Sequence, residues 1–117
     1  MSIVEGDKID MVLTDKEKTH AILVIADHLD WQEDEGEHLV LLQHKINAYI
    51  YFIESGQFEQ NRPDLAGLPV SIRIAAKFPP SEEGMKFCRL IGKVVSEIES
   101  SLELEVPSSG VKMRFDD

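Results

Sequence analysis

The sequence predicts an α+β domain in which a mixed sheet carries two helices packed on one face, in the order ββαβαβ with room for a fifth, C-terminal strand. Three observations predict it. Apolar residues alternate with polar ones in several short runs, two longer stretches carry apolar residues at steps of three and four, and the runs and stretches interleave along the chain. At 117 residues, with 43% hydrophobic and 29% charged residues, the chain is long and apolar enough to close one core, so residues 1–117 are read as a single domain.

The first strand is read from Ile9, Met11 and Leu13, which alternate with Asp10, Val12 and Thr14 and mark one covered face. A polar connection from Asp15 to Thr19 is short enough for a hairpin. His20 to Ala26 then forms an almost unbroken apolar run, the mark of a central strand covered on both faces. Leu39, Leu42, Ile46, Tyr49, Ile50 and Ile53 make the stripe of the first helix, which Ser55 and Gly56 end. Val40, Leu41, Tyr51 and Phe52 lie off that stripe, so this helix is either wrapped on two sides or offers surface to another chain. Residues 57–68 read as a loop, with Asn61, Pro63 and Gly67 as its breakers.

Val70, Ile72, Ile74, Ala76 and Phe78 alternate through the third strand, which Pro79 and Pro80 stop. Ser81 caps the second helix and Glu82 and Glu83 meet the positive end of its dipole; Phe87, Cys88, Ile91, Val94, Val95 and Ile98 form its buried stripe. Leu102, Leu104 and Val106 alternate again. After the Pro107 to Gly110 turn, so do Val111, Met113 and Phe115, giving a terminal hairpin or one broken strand.

Charge narrows the partners. With 22 acids against 12 bases the net charge is −10, which repels phosphate at long range, so neither direct nucleic-acid binding nor an anionic membrane surface is expected. A basic protein or a cation would be attracted, although an acidic excess also serves solubility alone. Cys88 is the sole cysteine, which leaves no internal disulfide and no cysteine-rich zinc site. Its place on a helix stripe reads as a core thiol rather than a nucleophile. The start lacks the basic segment and apolar run of a secretory signal, no stretch reaches membrane-spanning length, and the expected location is cytoplasmic.

Several segments together, Asp7 to Asp10, Asp27 to Trp31, Leu41 to Tyr49, Ile53 to Gly56 and Phe78 to Gly84, resemble a family of small bacterial proteins known as a domain of unknown function. The Asp-His-Leu-Asp-Trp run before a leucine-rich helix is its most specific element. The resemblance implies a single-domain, bacterial, cytosolic protein and brings no activity or catalytic residue with it. It also implies that the chain runs on beyond the family's usual ending, past Pro107 to Gly110.

One stretch is chemically unusual. Asp27 to His38 holds six acids, two histidines and a tryptophan with no Lys or Arg, and it stands where a central strand gives way to a helix, the place where α/β folds put ligand sites. Helix capping explains much of it, since Asp30 with Glu33, or Asp34 with Glu37, matches a capping box, and Trp31 can close over the start of the helix. Two functional readings stand beside capping. In the first the protein is a non-enzymatic acidic interaction module, in the manner of an inhibitor or immunity protein, whose Asp27, His28, Asp30, Glu33, Asp34, Glu35 and Glu37 steer a basic protein partner onto Trp31 as the apolar anchor. In the second, Asp27, His28, Asp30 and His38 ligate a metal in a small hydrolase or metal-binding protein. The spacing is neither that of a zinc helix nor that of a calcium loop, so no metal and no cofactor is expected. Phosphate loops, nucleophile elbows and dinucleotide fingerprints are absent, and no catalytic residue is assigned. Self-association is expected through the uncovered sheet face, assigned to Val12, Ile22, Val24 and Ala75, or through Leu41, Tyr51 and Phe52.

Overall fold

The computed structural model describes residues 3–4 and 8–115. Its elements follow in the order β1 (Met11–Thr14), β2 (Ala21–Asp27), α1 (Glu35–Glu54), α2 (Gln57–Asn61), a 3-10 turn at Pro63–Leu65, β3 (Val70–Ala76), α3 (Glu82–Glu97), β4 (Ser100–Val106) and β5 (Val111–Arg114). The strands lie side by side in sequence order as one five-stranded sheet. β2, β3 and β4 are parallel neighbours, while β1 and β5 pair antiparallel at the two edges. This is the α+β, mixed-sheet architecture expected, with the fifth strand present as the second arm of a terminal hairpin. Parallel neighbours require crossovers, which run through α1 and α3, and these two helices touch each other on one face of the sheet.

That face holds the core. Leu23 and Ile25 of β2, Ile72 and Ile74 of β3, and Leu102 and Leu104 of β4 are fully buried against Leu42, Ile46 and Tyr49 of α1 and Cys88 and Val95 of α3. Two glycines of α3 permit close approach. A Cβ at Gly84 would stand 2.9 Å from Cη2 of Trp31, and one at Gly92 would stand 2.1 Å from the Phe115 carbonyl oxygen. Gly84 therefore seats the tryptophan, and Gly92 lets the residue after β5 lie directly on the helix.

Two expectations change. Residues 57–68 are not a bare loop: α2 and the 3-10 turn bury Phe58 and Leu65 under the core. Local breakers were visible there, but tertiary burial of two isolated apolar side chains was not. The faces of β1 are also exchanged. Val12 pairs with Leu23 and Thr14 with Ala21, which puts them on the helix side, while Met11 and Leu13 join Val24 and Ile22 on the other side. The cause is Asp10, which is buried and bound by Lys45 of α1, so the even-numbered side chains turn inward. Val12 is thus not part of the uncovered face, and Met11 and Leu13, at 47% and 40% exposure, are.

The uncovered face is half apolar and half polar. On its polar half His20 Nε2 lies 2.7 Å from Ser71 Oγ, which lies 2.8 Å from Ser101 Oγ. Arg73 donates to Glu103 at 2.5 Å and stands 3.7 Å from Glu105.

Candidate functional site

The unusual stretch begins at the C-terminal end of β2, where Asp27 is the last residue of the strand and 2% exposed. Its carboxylate accepts the Leu29 amide at 3.1 Å and starts a turn. A second turn follows, in which Asp30 accepts the Gln32 amide at 3.0 Å. Asp34 then caps α1 by accepting the Glu37 amide at 3.1 Å, so the helix begins at Glu35. Of the two capping patterns in the sequence, the one led by Asp34 is the helix cap and Asp30 serves the turn before it.

The first turn of α1 swings His38 back onto Asp27. His38 Nε2 lies 2.8 Å and 2.7 Å from the two carboxylate oxygens, and both side chains are about 1% exposed. The Trp31 ring stacks on the imidazole with centroids 3.6 Å apart and planes 24° from parallel. Trp31 in turn fills the space left by Gly84, so one stack ties the end of β2, the start of α1 and the start of α3. Within it, Trp31 Nε1 and His38 Nδ1 have no hydrogen-bond partner.

Burial pushes the Asp27 carboxyl above its ordinary value, opposed by the His38 hydrogen bond, the His38 charge and the Leu29 amide. Cys88 is fully buried; burial, with the Asp27 charge adding to it, pushes its thiol up to about 12. It is the core thiol read from the helix stripe, and a thiol held there is not a nucleophile at neutral pH. An imidazole oriented by a carboxylate is a familiar catalytic arrangement, but this one is sealed beneath Trp31. Its geometry makes it a clamp on the strand-to-helix connection.

The sequence-predicted residues therefore separate. Asp27, Trp31 and His38 come together inside the protein, while His28, Glu33, Asp34 and Glu37 are exposed and Asp30 and Glu35 are half-buried. This corrects the docking reading at two positions. Trp31, at 2% exposure, is no surface anchor, because its ring is taken up by the His38 stack and the Gly84 gap, and the Asp27 carboxylate is spent on His38 and Leu29. Among the described residues no three His, Cys, Asp or Glu side chains gather as a possible ligand set: Asp27 pairs with His38, while Asp30 accepts the Gln32 amide.

Beside Asp27 a cleft of roughly 300 Å³ opens at the C-terminal ends of the parallel strands, bounded by His28, Ala75, Lys77 and Pro107. The position is the one at which such sheets hold ligands. His28, exposed on its rim, is the one member of the predicted set that lines it besides Asp27.

A second buried polar cluster lies at the other side of β2. Lys45 is fully buried in α1 and donates to Asp10 Oδ1 at 2.8 Å and to the Lys8 carbonyl at 2.6 Å. Asp10 Oδ2 accepts the Ala26 amide at 2.9 Å, the Asp10 amide donates to the Tyr49 hydroxyl at 2.8 Å, and that hydroxyl donates to the Val24 carbonyl at 2.5 Å. A signal for it existed: Leu42, Lys45, Ile46 and Tyr49 follow helical spacing, which puts a lysine within the apolar stripe.

The chain belongs to a family of unknown function, DUF6572, whose model matches residues 1–108. The match ends in the turn between β4 and β5, so β5 lies beyond it. No curated protein and no solved structure matches the chain. No helix among the described residues is long and apolar enough to cross a membrane.

Proposed function

We propose that the protein is a non-enzymatic interaction module whose acidic Asp30 to Glu37 edge docks a basic surface of another protein, as an inhibitor or immunity protein would. The observation that carries this reading is that Glu33, Asp34 and Glu37 are exposed together and make no ion pair among the described residues, on a segment clamped from beneath by Asp27, His38 and Trp31. Clamping matters because a fixed segment loses little freedom on binding. The acids steer encounter with a cationic partner, and the apolar contact must come from residues other than Trp31.

The experiment is capture from a cell lysate with the wild-type protein and a variant carrying Glu33→Gln, Asp34→Asn and Glu37→Gln. Asn is chosen at position 34 because it preserves the helix cap. The variant should keep its fold, losing about 0.3–1 kcal/mol per removed charge at the helix start, and should recover less of any basic partner. Equal recovery by both proteins, with the same salt response, would remove the support for this reading.

Self-association belongs to the same proposal. Met11 and Leu13 beside Ile22 on the uncovered face, with Val40 and Tyr51 of α1 at 50% and 63% exposure, offer apolar surface to a second copy. Light scattering at high protein concentration is expected to give a mass above that of the 13.2 kDa chain. A monomer mass throughout would count against a homodimer.

A further inference from the structure

A cavity of about 800 Å³ lies away from the acidic edge, between the outer side of α3 and the end of β5. Met85 and Leu90 of α3 and Met113 and Phe115 at β5 give it apolar walls, and Leu90 is 65% exposed. Four cations stand around these walls: Lys86, Arg89 and Lys93 from α3, and Arg114 from β5. Spacing of three and four residues sets the first three along one helix face. Four of the twelve bases of a chain with net charge −10 therefore line a single cavity. Lys86 pairs weakly with Glu83 at 3.4 Å, while Arg89 and Lys93 make no ion pair among the described residues.

The groove is a consequence of the fold rather than a loose surface dip. Gly92, one turn from Arg89 and next to Lys93, lets the Phe115 backbone lie on α3, and the Phe115 amide is held by the Leu102 carbonyl at 2.9 Å. Phe115 is 8% exposed and forms a fixed end wall. Two methionines add walls that adapt to the shape of an apolar body.

We propose that this groove is a binding site for a small anionic amphiphile, a molecule with an apolar body and a carboxylate or phosphate head. The apolar walls would take the body, and Arg89 and Lys93 would hold the head, Arg89 through paired hydrogen bonds that its planar guanidinium makes to either head group. A volume of about 800 Å³ is within the size range of small-molecule sites. The local cations are needed because the rest of the chain repels anions.

The test is calorimetric titration of the full chain with four probes below their micelle concentrations. Dodecanoate and dodecyl phosphate carry the proposed chemistry with the two possible heads. Dodecyltrimethylammonium has the same body with the opposite charge, and acetate has the head without the body. One site per chain is expected for at least one of the two anions, with binding at least about tenfold weaker for the cationic probe and for acetate. An Arg89→Glu, Lys93→Glu variant should lose about tenfold or more of the anion affinity while keeping its circular dichroism spectrum, since both residues are exposed. A Met113→Gln variant should weaken both anions by making the apolar wall polar without adding a charge. The proposal fails if neither anion binds at one site, if the cationic probe binds as well, or if the double variant binds the anions unchanged.

Discussion

Replacing His38 with alanine is expected to remove about 3–5 kcal/mol of unfolding free energy, because it leaves the Asp27 carboxylate buried without its imidazole partner. Loss of the imidazole also unstacks Trp31 and opens a void under it. Against a total of about 5–15 kcal/mol for a domain of this kind, that is a large share. The effect carries a pH signature whose sign follows from Asp27. A carboxyl with a raised folded pKa costs stability as pH climbs from its ordinary value of 3.8 through its folded value. His38 holds that folded value down by hydrogen bond and charge, so removing it raises the value further. The deficit of His38→Ala should therefore be greatest near neutral pH and shrink as pH falls and a proton neutralises Asp27. Urea unfolding at neutral and mildly acidic pH checks both parts. A loss below about 1 kcal/mol, the scale of an exposed pair, would show that the clamp is not a stabilising feature.

Lys45→Met is expected to cost a similar amount, about 3–5 kcal/mol, by stranding the Asp10 carboxylate inside the protein with the Ala26 amide as its remaining donor. Methionine matches the length of the lysine stem, so the loss reports the missing charge more than missing volume. Adding Asp10→Asn should recover much of the loss, since an amide oxygen can still accept from Ala26 without carrying a buried charge. A double-mutant cycle on the pair should give a coupling of about 1–3 kcal/mol. Additive effects would mean that Lys45 is held by the Lys8 carbonyl and the rest of its surroundings rather than by Asp10. Both experiments use thermal or urea unfolding and need no knowledge of a partner.

These two clusters mark where sequence reading reached its limit. Elements with a strong period were legible: β2, β3, α1 with its Ser55 and Gly56 end, and α3 with its Ser81 cap all stand where the spacing put them. Short elements were not. β1 has apolar residues on both faces, and its orientation is decided by an ion pair between Asp10 and Lys45, which lie 35 positions apart. α2 is built on the single buried side chain Phe58, which carries no period.

The same division holds for the candidate site. Composition singled out Asp27 to His38, and capping by Asp34 was readable from the spacing to Glu37. What composition could not tell was which members face inward. Asp27 follows the inward alternation of Leu23 and Ile25 in β2, and His38 lies four residues ahead of Leu42 on the α1 stripe, so the inward pair was implicit in two periodicities read together. Trp31 sits in a turn with no period, and its burial depends on Gly84, more than fifty residues away in sequence. Lys86, Arg89 and Lys93 follow helical spacing in the sequence, but the groove also needs the walls at Met113 and Phe115, which only the fold brings to α3.

Steering of a basic protein by the exposed acids of the clamped segment would be read from the association rate of a captured basic partner at low and at high salt. Wild type should associate much faster at low salt, and the Glu33→Gln, Asp34→Asn, Glu37→Gln variant should associate more slowly with a flattened salt dependence and a nearly unchanged dissociation rate. Identical association rates and identical salt slopes for the two proteins would contradict it, leaving the acidic segment as a helix start and nothing more.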